Sequence, residues 1–101
     1  MVAKQGDQVV GAVWVRIMKD YGHVDDETPS LSLSVLPEFR NCGIGTALLR
    51  SILKDLEQRS YKQVSLSVQK ENYAFNLYKK MGFEVYLERE TDVVMVHRFS
   101  V

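Results

Sequence analysis

The chain has 101 residues, 13 Lys and Arg against 13 Asp and Glu, and 46% hydrophobic content, which describes one domain with an ordinary core. Zero net charge without a basic tract argues against a nucleic-acid or membrane-surface binder. The longest apolar run, VVGAVWV at 9–15, is far short of the ~20 residues of a membrane span, and Asp7 before it is out of place in a signal peptide.

Residues 2–5 and 8–18 read as strands joined by a turn at Gly6–Asp7. KDYGHVDDETP, 19–29, is a polar loop without apolar periodicity. SLSLSVLP, 30–37, alternates strictly: Leu31, Leu33 and Val35 share one face, Ser30, Ser32 and Ser34 the other, and Pro37 ends the strand. From Gly45 the period becomes helical, with Ile44, Leu48, Leu49, Ile52, Leu53 and Leu56 in one stripe. QVSLSV, 63–68, is again a strand, so the order implies a right-handed parallel crossover. ENYAFNLYKKM, 71–81, reads as a second helix with Asn72 as N-cap and Gly82 as its stop. FEVYL at 83–87 and DVVMVHRF at 92–99 close the chain as a strand pair, His97 being a sheet residue. The pattern is ββ-β-α-β-α-ββ, an α/β chain with a mixed sheet. Trp14, Tyr61 and Tyr73 show no pattern beyond packing.

The segment EFRNCGIGTALL places Arg40, Gly43 and Gly45 where a strand gives way to a helix. A helix N-terminus has unpaired N–H groups and the positive end of the macrodipole. Glycines there let phosphate oxygens approach the backbone, and Arg40 adds a forked donor. The loop lacks the Gly-Lys-Ser/Thr ending of a nucleotide P-loop, and Leu48 stands where a dinucleotide fingerprint needs its third glycine. It fits R/Q-x-x-G-x-G instead. The lone cysteine, Cys42, has no disulfide partner within the chain, which fits a reducing cytoplasm.

SLSVLPEFRNCGIGTALL together with ENYAFNLYKKMGF resembles the two consecutive motifs of the GNAT superfamily of N-acetyltransferases, in the right order, and residues 2–99 can be laid on the family's core. The resemblance implies that acetyl-CoA is the cosubstrate, with no metal. It puts the pyrophosphate on the backbone of Asn41, Cys42, Gly43, Gly45 and Thr46, beside Arg40. It puts the pantetheine arm along the backbone of Leu33 and Val35, with the Leu33 N–H on the acetyl carbonyl. Tyr78 matches the tyrosine that protonates the departing thiolate. Asn72 matches a cofactor-contacting asparagine, and serving only as a helix cap is the other reading. The family's glutamate on the strand before the loop has no counterpart in PSLSLSV; the acidic loop offers Glu27, Asp26 and His23, of which Glu27 is the chosen base candidate, with a water as the alternative. As a group, Asp20, Asp25, Asp26 and Glu27 would attract a cationic acceptor.

The family's usual opening strand and two helices precede the hairpin that begins here and have no counterpart. That implies an exposed sheet flank and a homodimer. The expected activity is acetyl transfer to a small amine or a protein amino group; the competing reading is a CoA-binding module without catalysis.

Overall fold

The computed structural model describes residues 1–16, 28–40 and 42–99. Strands β1 (Val2–Gln5) and β2 (Gln8–Arg16) form an antiparallel hairpin across Gly6–Asp7. Strand β3 (Ser30–Val35) lies antiparallel to β2. Helix α1 (Ile44–Gln58) crosses to β4 (Gln63–Gln69), which runs parallel to β3. After α2 (Ala74–Lys80) come β5 (Glu84–Glu88) and β6 (Asp92–Arg98), and β6 inserts between β4 and β5, so the sheet order is β1-β2-β3-β4-β6-β5. The mixed α/β architecture and its element order are those read from the sequence.

Period-2 alternation sends Val13, Leu31, Val64, Leu66, Val68, Val93 and Met95 to one face, where they form a single core with α1 and α2. The α1 stripe meets this face through Leu48, Leu49, Ile52, Leu53 and Leu56, all buried, while Ile44 at its start is only half-buried. Each such leucine contributes about 1.5–3 kcal/mol by leaving water. The other face carries Ser30, Ser32 and Ser34 of β3 together with Ser65, Ser67 and Gln69 of β4.

Two boundaries differ from the sequence reading. Strand β2 ends at Arg16 among the described residues, and positions 17 and 18 lie outside them. Helix α2 starts at Ala74 rather than near 71, because residues 71–73 are spent on a turn: Asn72 N–H donates to the Gln69 carbonyl (2.9 Å) and Phe75 N–H to the Asn72 carbonyl (3.1 Å). Its C-terminus follows the expected stop. Gly82 has φ +95°, its N–H donates to the Lys79 carbonyl, and Phe83 N–H donates to the Tyr78 carbonyl. This is the Schellman arrangement, completed by the Tyr78–Phe83 ring contact at 5.5 Å. His97 packs between Phe83 and Phe99 in the sheet, with ring centroids at 5.4 and 5.1 Å.

Candidate active site

Strands β3 and β4 are paired only at their starts, where Ser30 faces Ser65 and the Ser65 N–H donates to the Pro29 carbonyl (3.0 Å). Beyond that point they part, and a cavity of about 650 Å³ opens between them. The ladder on the far side of β3 decides which backbone groups line the gap. Leu36 N–H donates to the Val10 carbonyl (2.9 Å), and the register sets Ser34 opposite Ala12 and Leu33 opposite Val13. Bonded and non-bonded pairs alternate in an antiparallel ladder. Ser32 and Ser34 therefore bond to β2, whereas Leu31, Leu33 and Val35 turn N–H and C=O outward. The same reasoning applies to β4, where the Lys70–Thr91 and Phe99–Lys62 bonds fix the ladder to β6 and leave Ser67 and Gln69 facing the gap. The cleft is thus two open strand edges.

At the end of β3 the chain makes a 3-10 turn (Pro37–Phe39) and enters α1 at Gly43. Gly43 has φ +83°, a left-handed conformation that a side chain would strain, and space lies open where its Cβ would be. It brings no side-chain cap, so among the described residues the first N–H groups of α1 have no intrahelical or side-chain capping partner. Gly45 is glycine for another reason: a Cβ there would stand 3.1 Å from Leu77 Cδ2, where α2 crosses the start of α1.

A second cavity, about 470 Å³, lies over this helix end. Val35, Arg40, Gly43, Gly45 and Thr46 line one side, and Tyr73, Asn76, Leu77 and Lys80 of the α2 segment the other. The Arg40 guanidinium sits 4.3 Å from the Tyr73 ring centre, and its Nε donates to the Val35 carbonyl (3.3 Å). Both contacts hold a cation beside the uncapped helix end. Cys42 is exposed, its thiol donating to the Arg40 carbonyl (3.6 Å). Tyr73, a packing residue by its sequence, is therefore part of the loop's surroundings, as is Lys80, to which the sequence assigns nothing; only the packing of α2 across α1 brings the two there.

Tyr78 is buried, 5% exposed, and lines the first cavity with Leu33 and Asn72. Burial, and then the neighbouring Tyr73 phenol, push its own phenol well above the usual tyrosine range. The N-cap position of α2 is Tyr73 rather than Asn72, whose Oδ1 nonetheless accepts from the Ala74 N–H (2.8 Å) while the residue lines the cavity. Asp92, also unforeseen, lines this cavity and receives Arg89 on both oxygens, Nε to Oδ1 at 2.7 Å and Nη2 to Oδ2 at 2.8 Å. Arg89 holds its carboxyl below the usual carboxylate range. The sequence shows Asp92 only as a hairpin residue; its pairing opposite Gln69 carries it to the cleft. Of the expected site residues, Leu33, Asn72 and Tyr78 gather at the first cavity and Val35, Arg40, Gly43, Gly45 and Thr46 at the second. Asn41, Glu27 and the rest of the acidic loop (Asp20, His23, Asp25 and Asp26) lie outside the described residues.

The family model of the acetyltransferase (GNAT) domain matches residues 1–85. An N-alpha-acetyltransferase of Sulfurisphaera tokodaii is 36% identical over 92 residues, which cover 82% of this chain and 54% of that protein. A [ribosomal protein bS18]-alanine N-acetyltransferase of Haemophilus influenzae is 33% identical over 58 residues, 57% of this chain and 40% of that one. The crystal structure of a PaiA N-acetyltransferase from Thermoplasma acidophilum in complex with coenzyme A superposes with TM-score 0.81 at 23% identity, covering 97% of this chain and 58% of that one. The chain spans about half the length of these relatives. With the helix-end loop, the parted strands and a family model matching most of its length, the chain belongs to the GNAT acetyltransferase family.

Proposed function

We propose that the chain is the catalytic core of an acetyl-CoA-dependent N-acetyltransferase that passes acetyl to a primary amine by direct attack in a ternary complex. The observation that carries this reading is the outward backbone edge of β3, which runs between the uncapped helix end and Tyr78. That edge suits an amide-bearing pantetheine arm, which pairs with it as an added strand would. The pyrophosphate then meets the N–H groups of Gly43, Gly45 and Thr46, with Cys42 and Asn41 as neighbouring backbone donors. Arg40, Tyr73 and Lys80 complete this end.

Leu33 donates its N–H to the acetyl carbonyl oxygen as that oxygen gains charge, an effect typically worth ~10²–10³ in rate. The amine nitrogen bonds to the acetyl carbon and gives up a proton, with Glu27 as candidate base or a water. As the carbon–sulfur bond breaks, Tyr78 delivers its proton to the sulfur and is reprotonated from solvent. A phenol whose pKa is pushed up by burial holds that proton throughout the neutral range. Asn72 has a helix start to support and a cavity to line, and both roles fit its position.

Relatives named for N-terminal α-amine and alanine acetylation make a protein amino terminus the acceptor class to test first. We further propose a cytoplasmic homodimer without nucleic-acid or membrane partners. No helix among the described residues is long and apolar enough to cross a membrane.

The test is thermal unfolding with acetyl-CoA, ATP or NAD, followed by incubation with an alanine-initiated peptide. A ligand at 100-fold its Kd adds ~2.7 kcal/mol, and each kcal/mol raises the Tm by ~4–8 °C in a domain of this size. The expected result is a rise of ~10–20 °C with acetyl-CoA alone, and acetyl-peptide by mass spectrometry. A rise without any acetylated amine would favour the non-catalytic CoA-binding reading; no rise would overturn both.

A further inference from the structure

The two cavities differ in charge: the described lining of the first sets one carboxylate, Asp92, against one cation, Arg16. The second, over the helix end, has the cations Arg40 and Lys80 and no carboxylate among its lining residues. In the first, Asp92 is the only carboxylate among the described residues that line it. Arg16 also lines the first cavity, but from β2, three strands across the sheet from β6. At ~4.8 Å per strand that is at least ~14 Å away.

Asp92 is also fixed in place. Its backbone carbonyl accepts from the Arg89 N–H (2.9 Å), and its side chain takes the Arg89 fork on both oxygens. An ionised carboxylate offers about four acceptor positions; the Arg89 fork takes two and the Asp92 backbone N–H a third, which leaves one for a ligand. The register sets Asp92 opposite Gln69, on the sheet face that also carries Ser32 and Ser67 along the cleft. That face lies opposite the one holding α1, α2 and the anion-binding loop. A polyanionic cofactor has no use for a fixed carboxylate there; a cationic acceptor does.

We propose that Asp92, clamped by Arg89, receives the ammonium of the acceptor amine at the cleft and selects cationic amines over neutral ones. This rests on the acetyltransferase reading and names an acceptor contact within it. The lowered pKa keeps Asp92 ionised at neutral pH and makes it a poor base, so its role is to hold the cation. The proton leaves the nitrogen afterwards. Besides Arg89, the Lys70 ammonium acts on Asp92 and is itself paired with Glu88 (3.6 Å); a carboxylate beside a bound ammonium raises that ammonium's pKa, so kcat should climb with pH until that group deprotonates.

The experiment compares wild type, Asp92→Asn and Asp92→Glu. Binding of an alanine-initiated peptide and of the same peptide already N-acetylated is measured by calorimetry with CoA present. Turnover of the free peptide is followed across pH, and thermal melts establish that each variant is folded. For Asp92→Asn the expected result is a ~10–100-fold weaker free-amine peptide, the weight of a hydrogen bond to a charged group. The acetylated peptide, which has no charge at that nitrogen, should bind unchanged. The inflection of kcat should move to lower pH, and Asp92→Glu should retain the preference for the free amine. Equal weakening of both peptides, or of neither, would reduce Asp92 to a hairpin clamp and overturn the proposal. Charge-selective binding without acetylated product would uphold the ammonium site while overturning the acetyltransferase reading. Product from wild type with no charge selectivity would do the reverse.

Discussion

Burial gives Tyr78 two properties at once. Its ring fills the core against Phe83, and its phenol holds its proton far more firmly than tyrosine in water. Tyr78→Phe keeps the first and removes the second. We expect kcat to fall by ~10²–10⁴, the usual weight of general acid help, with the KM for acetyl-CoA nearly unchanged in steady-state assays of thiol release. The same shift predicts an alkaline signature in stability. The folded-state pKa lies above the unfolded value of ~10, so the protonated form stabilises the fold fully below ~pH 10. That stability is lost as the pH rises from there toward the folded pKa. Chemical denaturation should therefore show wild type weakening above ~pH 10, and Tyr78→Phe should lack this component. Tyr78 was legible because it sits in a motif with fixed spacing. Asp92 and Tyr73 were not, since each acquires its meaning from a neighbour remote in sequence: Gln69 across the sheet, Arg40 across the loop.

Helix α2 carries Tyr78 three residues before its C-cap, so whatever fixes that terminus also fixes Tyr78. Gly82 has φ +95°, and a Cβ on it would lie 3.0 Å from both Cε1 and Nδ1 of His97. Gly82→Ala therefore incurs two penalties, left-handed strain of ~1–2 kcal/mol and a collision with the imidazole. A double-mutant cycle separates them. In a His97→Ala background the collision disappears and the strain remains, so the cost of Gly82→Ala should drop by ~1 kcal/mol. Equal costs in both backgrounds, read from urea denaturation, would show that the strain alone sets the penalty. Gly82 was readable as a stop because glycine after a helical run has one common use. The true start of α2 was not. Asn72 suits both a cap and a turn, and only the Gln69 carbonyl bonding its N–H shows that the turn comes first. The two loop glycines likewise looked alike in sequence, yet Gly43 serves its φ and Gly45 the approach of Leu77.

The order of the six strands lies beyond any local pattern, because β6 pairs with a strand more than twenty residues before it and pushes β5 to the edge. The consequence is a sheet that ends in a strand whose side chains are all exposed, Val85, Tyr86 and Leu87 among them, each close to half accessible. An edge with this composition invites a further strand. A second copy is the occupant we expect. Antiparallel pairing of two β5 strands about Tyr86 would set Glu84 of one against Glu88 of the other, ordinarily a repulsive match. Each acid already carries a cation, Glu84 facing Arg98 at 3.5 Å and Glu88 facing Lys70 at 3.6 Å. The junction would then hold alternating charges around an apolar centre. Light scattering across a concentration series should give twice the chain mass. Tyr86→Lys, which puts a third cation between those pairs and removes the central ring, should return the mass to one chain without lowering the affinity for acetyl-CoA. That cofactor's proposed site lies on β3, α1 and α2, and β5 pairs in the sheet with β6 alone among the described strands. A wild-type mass of one chain at the highest concentration would instead mean that the bulge between Val85 and Leu87 already turns this edge away from pairing.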